Sequence, residues 1–341
     1  MPVTTIQLVS TGMWAPSKVL SNADLEQLVE TSDSWITERT GIKERRIADE
    51  KMLVSEMGYL ATLMALDEAG LEPGDVDALI VSTATPDRLL PATACDIQAQ
   101  LGAHNAVAFD VWGACSGWLY ALSIARGLIV SGEVKNAVCI AAEKMSAIVD
   151  WTDRSTCVLF GDAAGAAVVQ AARENGRGIL ANYMRSDGTL AELLHRPPAG
   201  GAGGAGGAAG AGGGGFPLEA AEISGNGYVQ MAGREIFKAA VRSMCEAAEV
   251  VLQEAGYAIG DVDLLVPHQA NIRIIEAMAK YAGIPMDRVW VNIDRYGNTS
   301  SASIPVSLHE AREQGRIKDG SLVLMVTFGA GLTWAATLLR W

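Results

Sequence analysis

Short apolar runs and stretches of helical spacing alternate along the chain. Ala78–Thr83 and Ala137–Ala142 are nearly continuous apolar runs, the pattern of strands buried on both faces. Val54–Ala69 and Trp118–Val130 read as helices, with Trp118, Leu122 and Ala125 at helical spacing. Met1-Pro2-Val3-Thr4-Thr5-Ile6 reads as the first strand, and Asn105–Val111 as another. Leu322–Leu339 is the nearest approach to a membrane span. It carries Gly329, Gly331 and several threonines, so a buried hairpin is expected there instead. The alternation predicts an α/β protein with largely buried sheets.

A long-period repeat refines this. Glu68-Ala69-Gly70-Leu71-Glu72-Pro73-Gly74-Asp75-Val76-Asp77-Ala78-Leu79 recurs as Glu254-Ala255-Gly256-Tyr257-Ala258-Ile259-Gly260-Asp261-Val262-Asp263-Leu264-Leu265, at a constant offset of 186. Downstream, Ser131-Gly132-Glu133-Val134-Lys135-Asn136 is echoed by Gln314-Gly315-Arg316-Ile317-Lys318-Asp319. A helix end, a glycine turn and a buried strand thus occur twice. We expect two similar halves, 1–172 and 173–341, joined near Ala172; one repeat at so long a period excludes a solenoid. Residues 199–215 are all Ala and Gly and are expected to form a flexible surface loop.

Composition narrows the function. Half of the 341 residues are hydrophobic, ample for a large core. The net charge of −13 argues against nonspecific nucleic-acid binding and leaves small molecules or proteins as partners. No basic, apolar targeting segment opens the sequence. Five cysteines (Cys95, Cys115, Cys139, Cys157 and Cys245) without metal spacing argue for reduced thiols in a cytoplasmic protein and against a metal site.

One cysteine stands apart. In Phe109-Asp110-Val111-Trp112-Gly113-Ala114-Cys115-Ser116-Gly117-Trp118, Cys115 lies where a strand turns into a helix. Unpaired N–H groups and the positive end of the helix dipole would stabilise a thiolate there. A small buried thiol is the other reading, and this stretch alone does not separate them. In the second half, Val266-Pro267-His268 puts His268 at the carboxyl end of a strand, entering a helix through Gln269-Ala270-Asn271. Asp294-Arg295-Tyr296-Gly297-Asn298-Thr299-Ser300-Ser301 follows. At the same offset its Ser301 corresponds to Cys115, and Asn298 supplies an amide donor or a helix cap. Phe328-Gly329-Ala330-Gly331 is a small-residue turn whose N–H groups suit an oxyanion. The remaining histidines, His104, His195 and His309, sit in polar contexts without such placement.

Taken together and in order, these motifs resemble the β-ketoacyl-acyl carrier protein synthase III family of the thiolase-like superfamily. The resemblance adds Ser32-Asp33-Ser34-Trp35-Ile36-Thr37-Glu38-Arg39-Thr40-Gly41-Ile42, Trp151-Thr152-Asp153-Arg154, Phe160-Gly161-Asp162-Ala163-Ala164-Gly165 and Met231-Ala232-Gly233-Arg234-Glu235-Ile236-Phe237-Lys238, and runs from Met1 to Trp341. It implies a five-layered αβαβα fold, a homodimer without membrane attachment and no permanently bound cofactor. It further implies a Cys115–His268–Asn298 triad. Cys115 would take an acyl group from acyl-CoA, and malonyl-acyl carrier protein would then lose CO₂ and attack the thioester. The N–H groups of Cys115 and Ala330 would hold the oxyanion. Trp35, Arg39, Thr40, Arg154, Phe237 and Asn271 would contact CoA. Arg234, Lys238 and Arg242, four residues apart on one helix face, with Arg273, would dock the acidic carrier protein.

Departures from the family pattern are Ala330 and Ser155, where glycine is common, and a bulky Trp112. Leucines in Arg88-Leu89-Leu90-Pro91 replace a frequent phenylalanine. Starter-chain preference is therefore not legible. The alternatives are a condensing enzyme or acyltransferase of a secondary-metabolite pathway, and a non-catalytic carrier-protein-binding subunit, against which Cys115 counts. A cysteine protease leaves Trp35 and Arg154 without a role.

Overall fold

The computed structural model describes residues 5–174, 176–197 and 227–341; the Ala/Gly run at 199–215 lies outside the described residues. Strands β1 (Ile6–Trp14), β2 (Ala78–Ser82), β3 (Val107–Val111), β4 (Ala137–Lys144) and β5 (Asp162–Ala171) form one sheet in the order β1-β5-β4-β2-β3. Strands β6 (Gly178–Ser186), β7 (Leu264–Pro267), β8 (Leu322–Gly329) and β9 (Thr333–Arg340) form a second, in the order β7-β8-β9-β6. In both sheets one parallel pair (β2/β4, β7/β8) is followed by two antiparallel pairs. The first sheet adds β3 in parallel on β2. Among the described residues the second has a single bridge, Leu265 to Val289, at the equivalent edge. The apolar stretch at the carboxyl end is an antiparallel hairpin, as its glycines and threonines required.

The burial pattern explains the layers. Along β2, Leu79 and Val81 face outward onto helices α1 (Val54–Ala69) and α2 (Thr93–Leu101), while Ile80 faces inward. Their counterparts 186 residues later do the same. Leu265 packs outward among α4 (Gly233–Ala255) and α5 (Ile272–Ala282), and Val266 inward. Between the sheets run α3 (Gly117–Val130) and α6 (Ser303–Glu313). Their Trp118, Leu122, Ile304 and Leu308 are fully buried in the shared central cluster. Strands covered on both sides must be apolar along both faces, which is what the continuous runs encode. The result is a five-layered αβαβα stack. The repeated glycines, Gly70 (φ 64°) and Gly256 (φ 74°), end α1 and α4 in the left-handed conformation, which glycine adopts without a Cβ clash.

Candidate active site

Cys115 occupies a single 3-10 turn, Ala114–Ser116, between the end of β3 and the start of α3. The corresponding turn in the second half is Ser300–Ala302, ahead of α6. Both turns force a non-glycine residue to positive φ, Ala114 at 44° and Ser300 at 50°. Such a conformation is unfavourable for an L residue and persists where surrounding packing over-determines it. The end of β8 supplies part of that packing. A Cβ on Gly329 would lie 2.8 Å from the Cys115 backbone nitrogen and 2.9 Å from its Cβ, so a side chain there is excluded. The Thr333 hydroxyl lies within hydrogen-bond distance of the carbonyls of Ala330 (3.0 Å) and Gly113 (3.3 Å), its single proton serving one at a time, and so links the turn after β8 to the cysteine turn.

Cys115, His268 and Asn298 all line one cavity of about 1060 Å³, together with Ala330, Phe237 and Asn271. His268 follows β7, its backbone N–H donating to Val326 at 2.8 Å. Burial lowers its pKa to about 3, so the ring is neutral. Its Nδ1 lies 2.6 Å from Ser303 Oγ. We assign Ser303 as the donor, which puts the ring proton on Nε2. The helix after His268 begins at Ile272, later than the sequence suggests. Asn271 is its N-cap, accepting the Arg273 N–H at 2.9 Å. Asn298 is held by its neighbours at three points. Its backbone N–H donates to Leu159 (2.8 Å), its carbonyl accepts from Gly161 (3.1 Å), and its side-chain oxygen accepts the Ser300 N–H (2.9 Å).

The protonation of the thiol follows from its surroundings. Burial pushes the Cys115 thiol up to about 12; a hydrogen bond to Ser300 opposes this, and the Glu143 carboxylate adds to it. A resting thiolate stabilised by the helix start is therefore not what the surroundings favour. The Cys115 S–H donates to Ser300 Oγ at 3.6 Å, and Ser300 O–H donates to Glu143 at 3.0 Å.

The residues expected to contact CoA separate into two groups. Phe237 and Asn271 join the nucleophile's cavity. Trp35, with the guanidinium carbons of Arg39 and Arg154 at 4.6 and 4.9 Å from its ring centre, forms a stack outside the cavity lining. Trp35 packs on the cluster that also contributes Ile148, Val229 and Met231 to the cavity wall. Thr40 departs from expectation. It is buried, and its hydroxyl donates to Ile36 at 2.7 Å and accepts the Ile42 N–H at 3.0 Å, so it serves the helix end. Arg234, Lys238 and Arg242 are exposed along α4, and Arg273 extends over the Phe237 ring at 5.9 Å.

Several cavity residues were not legible as such. His195 and Arg196 line its wall, the Arg196 Nε donating to Gly227 at 2.7 Å, although His195 reads as a loop residue in the sequence. Ser300 and Ser303 lie in the serine-rich turn after Asn298, where residue type alone does not show which hydroxyl meets which partner. Glu143 carried one signal, a carboxylate ending the apolar run of β4.

Residues 109–188 match the family described as 3-oxoacyl-[acyl-carrier-protein (ACP)] synthase III, and residues 252–341 match its C-terminal part. The chain is 49% identical over 335 residues to a β-ketoacyl-[acyl-carrier-protein] synthase III from Aquifex aeolicus, covering 98% of this chain and 99% of that one. It is similar to the crystal structure of 3-oxoacyl-[acyl-carrier-protein] synthase III from that organism, with a TM-score of 0.89 at 48% identity. That match covers 99% of this chain and all of the other. A priming β-ketosynthase from the R1128 polyketide biosynthetic pathway is also similar, with a TM-score of 0.87 at 34% identity, over 98% of this chain and 96% of that one.

Proposed function

The chain belongs to the β-ketoacyl-[acyl-carrier-protein] synthase III family, and on that premise we propose that Cys115, His268 and Asn298 divide a two-step condensation between them. The reaction is the initiating condensation of fatty acid synthesis. An acyl-CoA is joined to malonyl-acyl carrier protein with loss of CO₂, giving 3-ketoacyl-acyl carrier protein. Cys115 takes the acyl group as a thioester, splitting one difficult reaction into two easier ones. Backbone N–H groups of Cys115 and Ala330 receive the oxyanion of that step. Neutral His268, donating through Nε2, and the Asn298 amide then receive the malonyl thioester oxygen as enolate charge develops. The carbanion attacks the Cys115 thioester carbon, and the cysteine sulfur leaves.

The observation that carries this reading is the opening of all three side chains onto one cavity that also takes in Phe237 and Asn271. Trp35, packed on the cluster that supplies part of that wall and with Arg39 and Arg154 against its ring, is the contact we assign to the nucleotide end of CoA. Adenine stacking between Trp35 and Arg154 requires the guanidinium to move off the ring, since the two are already in contact. Arg234, Lys238, Arg242 and Arg273 form the carrier-protein docking face beside Phe237.

The assembly we propose is a homodimer. Edge strand β3, with Val107 half exposed, is flanked by Leu89, Leu90 and Trp112, which are 88, 85 and 68% exposed. Leu89 and Trp112 also line the cavity, so a second copy seated there would complete its wall. Among the described residues no helix is long and apolar enough to cross a membrane. Five free cysteines support a reducing, cytoplasmic setting.

The similarity to a polyketide priming synthase supports a second reading, the same chemistry with another starter. Supplying acyl-CoAs of different length with malonyl-acyl carrier protein tests both. Formation of the 3-ketoacyl-acyl carrier protein with one CO₂ per turnover is expected. A preference for acetyl-CoA supports the initiating role, and a preference for a longer or branched starter the second reading. No ketoacyl product from any starter would overturn both.

A further inference from the structure

Glu143, near the end of β4, is fully buried, and its carboxylate is surrounded by neutral donors. Its Oε2 accepts from the Ala84 N–H (2.9 Å) and the hydroxyls of Thr85 (3.1 Å) and Thr83 (3.5 Å). Its Oε1 accepts from the hydroxyls of Ser301 (2.7 Å) and Ser300 (3.0 Å) and from the Ser301 N–H (3.4 Å). Among the described residues, no cation forms an ion pair with it. Lys144, next in the chain, turns the other way and donates to the carbonyls of Asp49, Glu50 and Met52. Three segments meet at the carboxylate: the loop Thr83–Thr85, the turn Ser300–Ala302 and, through Ser300, the turn that carries Cys115. The titratable group facing it from these is Cys115 itself.

Thr83, Ala84 and Ser300 among these donors all line the cavity, and the Ser300 hydroxyl is the one hydrogen-bonded to the nucleophile. Ser300 donates to Glu143 while its oxygen accepts the Cys115 S–H at 3.6 Å, and Ser300 lines the cavity. The thiol needs such a proton acceptor, because burial favours its protonated form. His268 is the alternative base, but burial disfavours its charged form and its Nδ1 is engaged by Ser303.

We propose that Ser300 and Glu143 form the proton relay that activates Cys115. As the cysteine sulfur bonds to the thioester carbon of acyl-CoA, its proton passes to Ser300 Oγ, and the Ser300 hydroxyl proton passes to Glu143 Oε1. The bond between that carbon and the CoA sulfur breaks, and the CoA thiolate recovers a proton by the reverse transfer. Glu143 is ionised again at the end, and one acyl-cysteine and one CoA thiol replace one thiol and one acyl-CoA. Glu143 acts through Ser300 and is a positioning residue for the proton; it touches no substrate. The proposal rests on Cys115 being the acylated nucleophile.

Single-turnover acylation by acetyl-CoA, read by quench and intact mass, tests this when paired with CO₂ release from malonyl-acyl carrier protein in the same proteins. Ser300→Ala removes one hydroxyl and keeps the N–H that holds Asn298; Glu143→Gln removes the acceptor. Both are expected to acylate about 10²-fold more slowly near neutral pH, the scale of a lost general base, with decarboxylation reduced by a much smaller factor. Burial raises the Glu143 pKa, so wild-type acylation falls as pH drops through that raised value and is level above it. In Glu143→Gln the remaining rate depends on free thiolate and climbs with pH through the alkaline range. Wild-type acylation in Ser300→Ala overturns the relay, as does an equal loss of both half-reactions in the two variants. If the wild-type protein forms no adduct on Cys115, the nucleophile assignment itself fails, which is a separate outcome.

Discussion

The backbone N–H of Ser300 donates to the side-chain oxygen of Asn298 at 2.9 Å, which fixes the amide so that its nitrogen is the end free to donate. His268 reaches the same state by a different route, with Ser303 at Nδ1. Two fixed, neutral donors suit an oxygen that gains charge during reaction, because they need no reorganisation as it does so. Asn298→Ala and His268→Ala should therefore each slow decarboxylation of malonyl-acyl carrier protein by about 10²–10³. Acylation of Cys115 should suffer less. Normal CO₂ release in both variants would remove these two residues from the decarboxylation step.

Because burial holds His268 neutral down to about pH 3, decarboxylation should show no inflection near the ordinary imidazole value of about 6.5. Stability carries the complementary sign. Below about 6.5 the unfolded chain binds a proton at this position and the folded chain does not, until the pH approaches 3. Wild-type protein should therefore lose stability relative to His268→Gln as pH falls through that window, and the difference should be constant above it. Denaturation midpoints of the two proteins at several pH values check this.

Gly329→Ala places a methyl group 2.8 Å from the Cys115 nitrogen, against backbone that has no room to yield. Overpacking of this kind costs about 1–3 kcal/mol. A lowered Tm is expected, with acylation reduced well beyond what the stability loss explains, because the nucleophile's turn must shift. A variant with wild-type acylation would show that the contact between β8 and the cysteine turn is not needed for activity.

The carrier protein is acidic and this chain carries a net −13, so docking depends on local charge. Reversing Arg234 and Lys238 to Glu should raise KM for malonyl-acyl carrier protein and flatten its salt dependence. Acylation by free acyl-CoA should change much less. Carrier-protein kinetics that are unaltered at low salt would place docking elsewhere.

The duplicated architecture was legible because a helix end, a glycine turn and a buried strand must recur together if a half is repeated. The offset of 186 that pairs Leu79 with Leu265 also pairs the turns at Ala114 and Ser300. Cys115, His268 and Asn298 were legible as candidates from the ends of predicted elements. Ionisation was not, because the burial of Cys115 and the charge of Glu143 depend on contacts among segments far apart in the chain. Thr40 was misleading for the opposite reason: its hydroxyl is consumed by purely local bonds to Ile36 and Ile42. His195 and Arg196 reach the cavity through the pairing of Leu194–His195 with Gln230–Met231, a contact no local pattern announces.

The central claim is that Cys115 carries the acyl group. Intact-protein and peptide mass spectrometry after mixing with acyl-CoA tests it most directly, on the wild-type protein and on Cys115→Ser. A serine hydroxyl in this turn is a far weaker nucleophile than a thiol. The account predicts one acyl adduct per wild-type chain, on the peptide that contains Cys115, and no adduct on Cys115→Ser. A stoichiometric adduct on Cys115→Ser, or one on another residue of the wild-type protein, would contradict it.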